Sequence, residues 1–134
     1  MSEIPEELRN IDRKKILVVD DEQDLREALF TFLAAQGYEV SSASDGLEAV
    51  EMVKKDQPDL MLLDIMMPNM TGKDVLDHLR TEGIAQDMKV LILTALSDLD
   101  SLSEILDRGG MDYLVKSDWK LEDIVRKVAE KLTE

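Results

Sequence analysis

The sequence predicts an α/β protein: a doubly wound, five-stranded parallel sheet with five helices. Three observations lead there. Five short strand-like runs, at residues 16–19, 38–43, 60–63, 89–93 and 111–115, alternate with stretches whose apolar residues recur every three or four positions. Leu60-Met61-Leu62-Leu63 and Val90-Leu91-Ile92-Leu93 contain no polar residue, as befits strands covered on both faces. Each run is followed at once by a helix-like stretch, and parallel strands need such crossovers, which pack back on the sheet.

Taken in order, residues 1–13 carry Pro5 and mixed charges and read as a short leader. Ile16-Leu17-Val18-Val19 is the first strand, stopped by Asp20-Asp21-Glu22. The first helix carries Leu25, Ala28, Leu29, Phe32 and Leu33 at spacings of three and four and ends at Gly37, a C-cap residue. Tyr38 to Ala43 forms a second strand. Asp45, with Glu48 three residues on, starts a second helix marked by Leu47, Val50 and Val53. After the third strand, Leu60 to Leu63, Pro68-Asn69 and Thr71-Gly72 break the chain, and Thr71 caps a helix burying Val75, Leu76 and Leu79 before Gly83. The fourth strand, Lys89 to Leu93, ends at Thr94-Ala95. Ser97 or Asp98 opens a helix with Leu99, Leu102, Ile105 and Leu106 inward, closed by Gly109-Gly110. Met111 to Val115 is the fifth strand, and the last helix lines up Leu121, Ile124, Val125, Val128 and Leu132. Periodicity alone leaves the order of the strands open.

A chain of 134 residues is one domain's length. With 44% hydrophobic and 34% charged residues it is globular. Thirty acidic against 16 basic residues leave a formal net charge of −14, which repels phosphate backbones and anionic lipid and argues against direct nucleic-acid or membrane partners. With no cysteine, disulfides, thiolate metal sites and a cysteine nucleophile are excluded. No apolar run approaches the roughly 20 residues of a membrane span, and Met1 to Asn10 lacks a signal-peptide core, so a cytoplasmic protein is expected.

The strand ends carry the chemistry. Asp20 and Asp21 follow strand one, Asp64 ends strand three, Thr94 strand four and Lys116 strand five. In a parallel sheet these positions share one edge, where ligands of open α/β sheets bind. Asp64 alone could equally be a turn-forming aspartate. Three carboxylates together, however, repel one another and resist ionisation without a cation. Oxygen ligands of this kind suit a hard divalent ion such as Mg²⁺, with Thr94 able to hydrogen-bond a phosphoryl oxygen and Lys116 to neutralise another.

Val18-Val19-Asp20-Asp21-Glu22, Asp64-Ile65-Met66-Met67-Pro68 with Gly72, Thr94-Ala95, and Asp112-Tyr113-Leu114-Val115-Lys116 together resemble the response-regulator receiver domains of two-component signalling. The resemblance makes residues 14–134 the receiver segment and implies a flavodoxin-like sheet of order 2-1-3-4-5. It implies that Asp64 is the phosphoacceptor, and that Asp20, Asp21, Asp64 and the backbone carbonyl of Met66 hold Mg²⁺. Thr94 and Lys116 would contact the phosphoryl group. Thr94 and Tyr113 would form the switch that alters the surface of the fourth helix, fifth strand and fifth helix; the plain alternative for Tyr113 is an ordinary strand aromatic. The phosphodonor would be a sensor histidine kinase or a histidine phosphotransfer protein, and the output contact with an unidentified protein target or a phosphorelay step, made by a stand-alone receiver.

Met66 and Leu96 occupy positions that in similar proteins flank the phosphoryl group and tune water attack. Both are apolar, so slow self-dephosphorylation is expected and no multiple-turnover enzyme activity. Ser117 stands where the family usually has proline after the strand-five lysine; a cis bond there would cost roughly 2.5–4 kcal/mol, and Ser117 or Asp118 is expected to cap the last helix. The lone His78 reads as structural. A pseudo-receiver without phosphorylation and a Mg²⁺-dependent phosphohydrolase are the competing classes. Retention of all five site residues weighs against the first, and Met66, where haloacid-dehalogenase-type enzymes have a second aspartate, against the second.

Overall fold

The computed structural model describes residues 13–106 and 112–133. The leader expected over residues 1–13 lies, apart from Arg13, outside the described residues, as do Gly109, Gly110 and Met111. Five strands, β1 (Lys15–Val19), β2 (Glu39–Ala43), β3 (Leu60–Asp64), β4 (Lys89–Thr94) and β5 (Asp112–Val115), form one sheet of order β2-β1-β3-β4-β5. Every pairing is parallel, so this is the flavodoxin-like arrangement. The α-helices α1 (Gln23–Ala35), α2 (Gly46–Lys55), α3 (Gly72–Thr81), α4 (Leu99–Leu106) and α5 (Leu121–Leu132) connect and follow the strands. None of the described helices is long and apolar enough to cross a membrane.

Alternation along the strands divides the interior. Leu17, Val19, Met61, Leu63 and Ile92 face one side with Ala49, Val50 and Val53 of α2, Val75 and Leu79 of α3, and Leu102 and Ile105 of α4. Ile16, Val18, Leu60, Leu62, Leu91, Leu93 and Leu114 face the other with Leu29 and Leu33 of α1 and Ile124 and Val128 of α5. The central β3 is buried at every residue, whereas the edge strands β2 and β5 alternate with exposed positions. Truncating a β3 residue such as the fully buried Leu62 to alanine costs about 2–5 kcal/mol.

Two residues of the helical periodicities lie outside the buried stripes. Leu47 is exposed, because consecutive steps of three lag behind the helical turn: Leu47 and Val53 lie about 120° apart around the axis. Gly46, Ala49, Val50 and Val53 make the buried stripe of α2 instead. Phe32 sits about 60° off Leu29 on the margin of the α1 stripe and is also exposed.

The caps are mostly local. Asp45 accepts the Glu48 N–H at 2.8 Å. Thr71 accepts from Asp74 N–H at 3.2 Å while the Asp74 carboxylate accepts from Thr71 N–H at 3.0 Å, a capping box that starts α3. The last helix departs from expectation. Lys116–Asp118 forms a 3₁₀ turn, and α5 begins only after Lys120, whose N–H donates to the Asp123 carboxylate at 3.2 Å. A carboxylate inside the first turn replaces the cap expected from Ser117 or Asp118. No peptide bond among the described residues is cis, so Ser117 follows Lys116 through a trans bond.

Candidate functional site

Register brings the site together. Val19 pairs with Leu63, so Asp20 and Asp64 leave neighbouring strands side by side. Asp64 pairs with Leu93, and Thr94 with Val115, which carries Thr94 and Lys116 to the same C-terminal edge one and two strands over. Carboxylate oxygens of Asp20, Asp21 and Asp64 all lie within 4.8 Å of one another. Asp20 and Asp64 are buried and Asp21 is exposed.

Lys116 reaches into this cluster. Its Nζ lies 2.9 Å from Asp20 Oδ2, 3.4 Å from Asp64 Oδ2 and 3.7 Å from Glu22 Oε1. Asp20 Oδ2 is buried, and the Lys116 ammonium is its ion-pair partner. Asp20 Oδ1, in contrast, accepts the Glu22 N–H at 2.9 Å.

One ammonium among three carboxylates leaves the electrostatics unbalanced. Burial, and then the negative charge of Asp20, push the Asp64 carboxyl up to about 7, although Lys116 pulls it back in part. For Lys116, burial opposes the charge, but Asp20, Asp64 and Glu22 together outweigh it and hold the ammonium above its usual pKa. An all-oxygen donor set, with more carboxylates than the one ammonium can offset and with mutual repulsion between them, fits a hard divalent cation.

Backbone geometry sharpens the site. Gly72 N–H donates to the Ile65 carbonyl at 2.7 Å. A Cβ at Gly72 would stand 2.6 Å from the Asp64 carbonyl oxygen, so only glycine lets α3 begin this close to the strand end. In the loop between, Met66 is 47% exposed while Met67 is buried. Thr94 is fully buried, and its hydroxyl donates to the Ala95 carbonyl at 3.0 Å. Tyr113 is exposed on edge strand β5. Leu96 lies in a 3₁₀ turn, Leu96–Asp98, directly after the site; its side chain is not among those described.

His78 is remote from the site, its Nε2 3.2 Å from Glu82 Oε1 on the same helix but without a hydrogen bond to it. Two contributors have no counterpart among the residues singled out from the sequence. Glu22 is the third carboxylate around Lys116, and Arg26 Nη1 donates to the Asp20 carbonyl at 2.8 Å. A basic residue three positions before Leu29, on the buried side of α1, is the signal that points to Arg26.

Comparison with known proteins agrees with the fold. The family model of the response regulator receiver domain matches residues 16–129. The chain is 42% identical over 122 residues to a probable transcriptional regulator, ycf27, of Porphyridium aerugineum, covering 90% of this chain and 50% of that protein. It is 41% identical over 114 residues to the response regulator MprA of Mycobacterium leprae, covering 85% and 49% respectively. It thus spans about half the length of these curated relatives. Among solved structures, the response regulator TrrA of Thermotoga maritima in complex with Mg²⁺-BeF superposes with a TM-score of 0.74 at 35% identity, covering 89% of this chain and 98% of that one. The chemotaxis protein CheY4 of Vibrio cholerae gives 0.79 at 28% identity, covering 89% and 98%.

Proposed function

The chain belongs to the response regulator receiver domain family, and from that premise we propose that it is a Mg²⁺-dependent phosphoacceptor in which Asp64 carries the phosphoryl group. The observation that carries the reading is the meeting of Asp20, Asp21 and Asp64 within 4.8 Å, with Lys116 3.4 Å from Asp64. An Asp64 carboxylate oxygen attacks the phosphorus of a phosphohistidine; the O–P bond forms, the P–N bond breaks, and the leaving imidazole takes up a proton. The product is an acyl phosphate. Lys116 offsets charge on the transferred group, and the Thr94 hydroxyl, after leaving the Ala95 carbonyl, donates to it. A divalent cation held by Asp20, Asp21, Asp64 and the Met66 carbonyl would supply further charge neutralisation and favour ionised Asp64.

Thr94 and Tyr113 form the switch in this reading. Movement of Thr94 towards the phosphoryl group vacates space on β4, and the exposed Tyr113 on the adjacent β5 turns inward to fill it. The phosphoryl group drives this only by interacting better with the inward packing. The surface so altered, formed by α4, β5 and α5, contacts a downstream protein, and a histidine kinase or phosphotransfer protein is the donor. Direct nucleic-acid and membrane contacts play no part, and the protein acts in the cytoplasm.

Incubation with Mg²⁺ and acetyl phosphate followed by intact-mass measurement tests the assignment. One phosphoryl group is gained, and none in Asp64→Ala; no gain in the wild type would mean a non-phosphorylated binding module, and steady phosphate release a phosphohydrolase. The exposed Met66 and the neighbouring Leu96 offer no group to orient a hydrolytic water, so the phosphoryl group is long-lived. Met66→Asn shortens its half-life, and an unchanged half-life removes Met66 from that role.

A further inference from the structure

We propose that Arg26 is a positioning residue for cation loading at Asp20, Asp21 and Asp64, an inference that rests on the phosphoacceptor reading above. Arg26 stands in the first turn of α1, half-buried, and its guanidinium donates to the Asp20 carbonyl at 2.8 Å. The other groups of Asp20 are nearly all committed. Its N–H donates to the Ala43 carbonyl of β2 at 3.2 Å, and Oδ1 accepts the Glu22 N–H. Only Oδ2 is left, facing the cluster with the Lys116 ammonium as its ion-pair partner.

The carbonyl held by Arg26 belongs to the planar peptide that joins Asp20 to Asp21. Because that unit is rigid, fixing the oxygen fixes the direction in which the chain leaves β1, and so where the exposed Asp21 carboxylate stands relative to Asp64. Without Arg26 this peptide is free to tilt, and ordering it again opposes cation binding. Simple electrostatics predicts the opposite. A guanidinium this close to the acidic cluster repels a divalent ion, so its removal would tighten binding if charge alone mattered.

The opposite signs make the test decisive. Mg²⁺ binding is measured by calorimetry on the full chain, with no phosphodonor, for wild type, Arg26→Met and Arg26→Lys, together with amide hydrogen exchange by NMR. Arg26→Met raises the Kd about three- to tenfold. It also speeds exchange of the Asp20 and Glu22 amides while those of Leu62 and Leu91 in the central strands keep wild-type protection. Arg26→Lys, whose ammonium can still donate to the carbonyl, recovers part of the affinity and serves alone if Arg26→Met does not fold. Unchanged or tighter binding in Arg26→Met overturns the inference, as does weaker binding with the central strands equally deprotected. Arg26→Lys no better than Arg26→Met also overturns it. A wild type that binds no Mg²⁺ overturns the phosphoacceptor reading and this inference together; a wild type that binds, with Arg26→Met its equal, overturns this one alone.

Discussion

The two rims of the sheet treat charge in opposite ways. At the N-terminal rim, Lys15 pairs with Asp56 at 2.8 Å and its N–H donates to the Asp59 carboxylate. Lys131, buried at the last turn of α5, meets Asp112 at 3.0 Å, and Lys89 donates to the Lys131 carbonyl. Positive and negative groups alternate there. At the C-terminal rim, Asp20, Glu22 and Asp64 share the Lys116 ammonium, and Asp21 adds a further carboxylate within 4.8 Å of Asp20 and Asp64. One rim is arranged to be stable as it stands, and the other stores repulsion that a cation can relieve.

Loss of Lys116 breaks this contrast most severely. Lys116→Met leaves Asp20 and Asp64 facing each other in a buried site, and stability at pH 8 falls by about 3–5 kcal/mol in urea titrations without Mg²⁺. Phosphorylation by acetyl phosphate slows by about two orders of magnitude or more. A variant as stable and as reactive as the wild type would show that the rim is not under electrostatic strain.

Asp64→Asn acts in the opposite direction. The carboxyl titrates near 3.8 when exposed and at about 7 in the fold. Between those values the folded protein holds a proton that the unfolded chain has released, so stability declines as pH rises through the window, with the whole cost present above about 7. Asparagine has no such cost. Without Mg²⁺ the variant is therefore more stable than wild type at pH 8, by about 2–4 kcal/mol, and the difference shrinks towards zero on acidification to pH 4. A gain independent of pH would assign it to packing instead.

The smallest effects belong to the opposite rim. Lys131→Met lowers stability by about 1–3 kcal/mol, since Asp112 is half-exposed and water can replace its partner, and the phosphorylation rate is unchanged. Asp56→Asn, which removes the exposed partner of Lys15, leaves the melting temperature where it is. A change in phosphorylation rate from either substitution would couple the two rims and dissolve the contrast.

Much of this was legible in the chain itself. Apolar runs such as Leu60 to Leu63 identify strands, and parallel pairing then brings their C-terminal residues to one edge without knowledge of any side-chain contact. Asp20, Asp64, Thr94 and Lys116 could be grouped for that reason. Spacing does not report how wide a helix's covered face is, and Leu47 and Phe32, both members of the helical periodicity, stand exposed. Nor does residue type reveal a bond made by backbone atoms. Arg26 acts on a carbonyl, and the start of α5 depends on an amide donating to Asp123, so neither has a sequence signature as clear as paired aspartates.

The division of the interior has its own consequence. The sheet acts as a partition: among the described residues, the buried side chains under α1 and α5 and those under α2, α3 and α4 form two separate clusters, one on each face. The two flanks meet at the margin, in the loops where the strands stop, and Asp64, the last residue of β3, stands at that crossing.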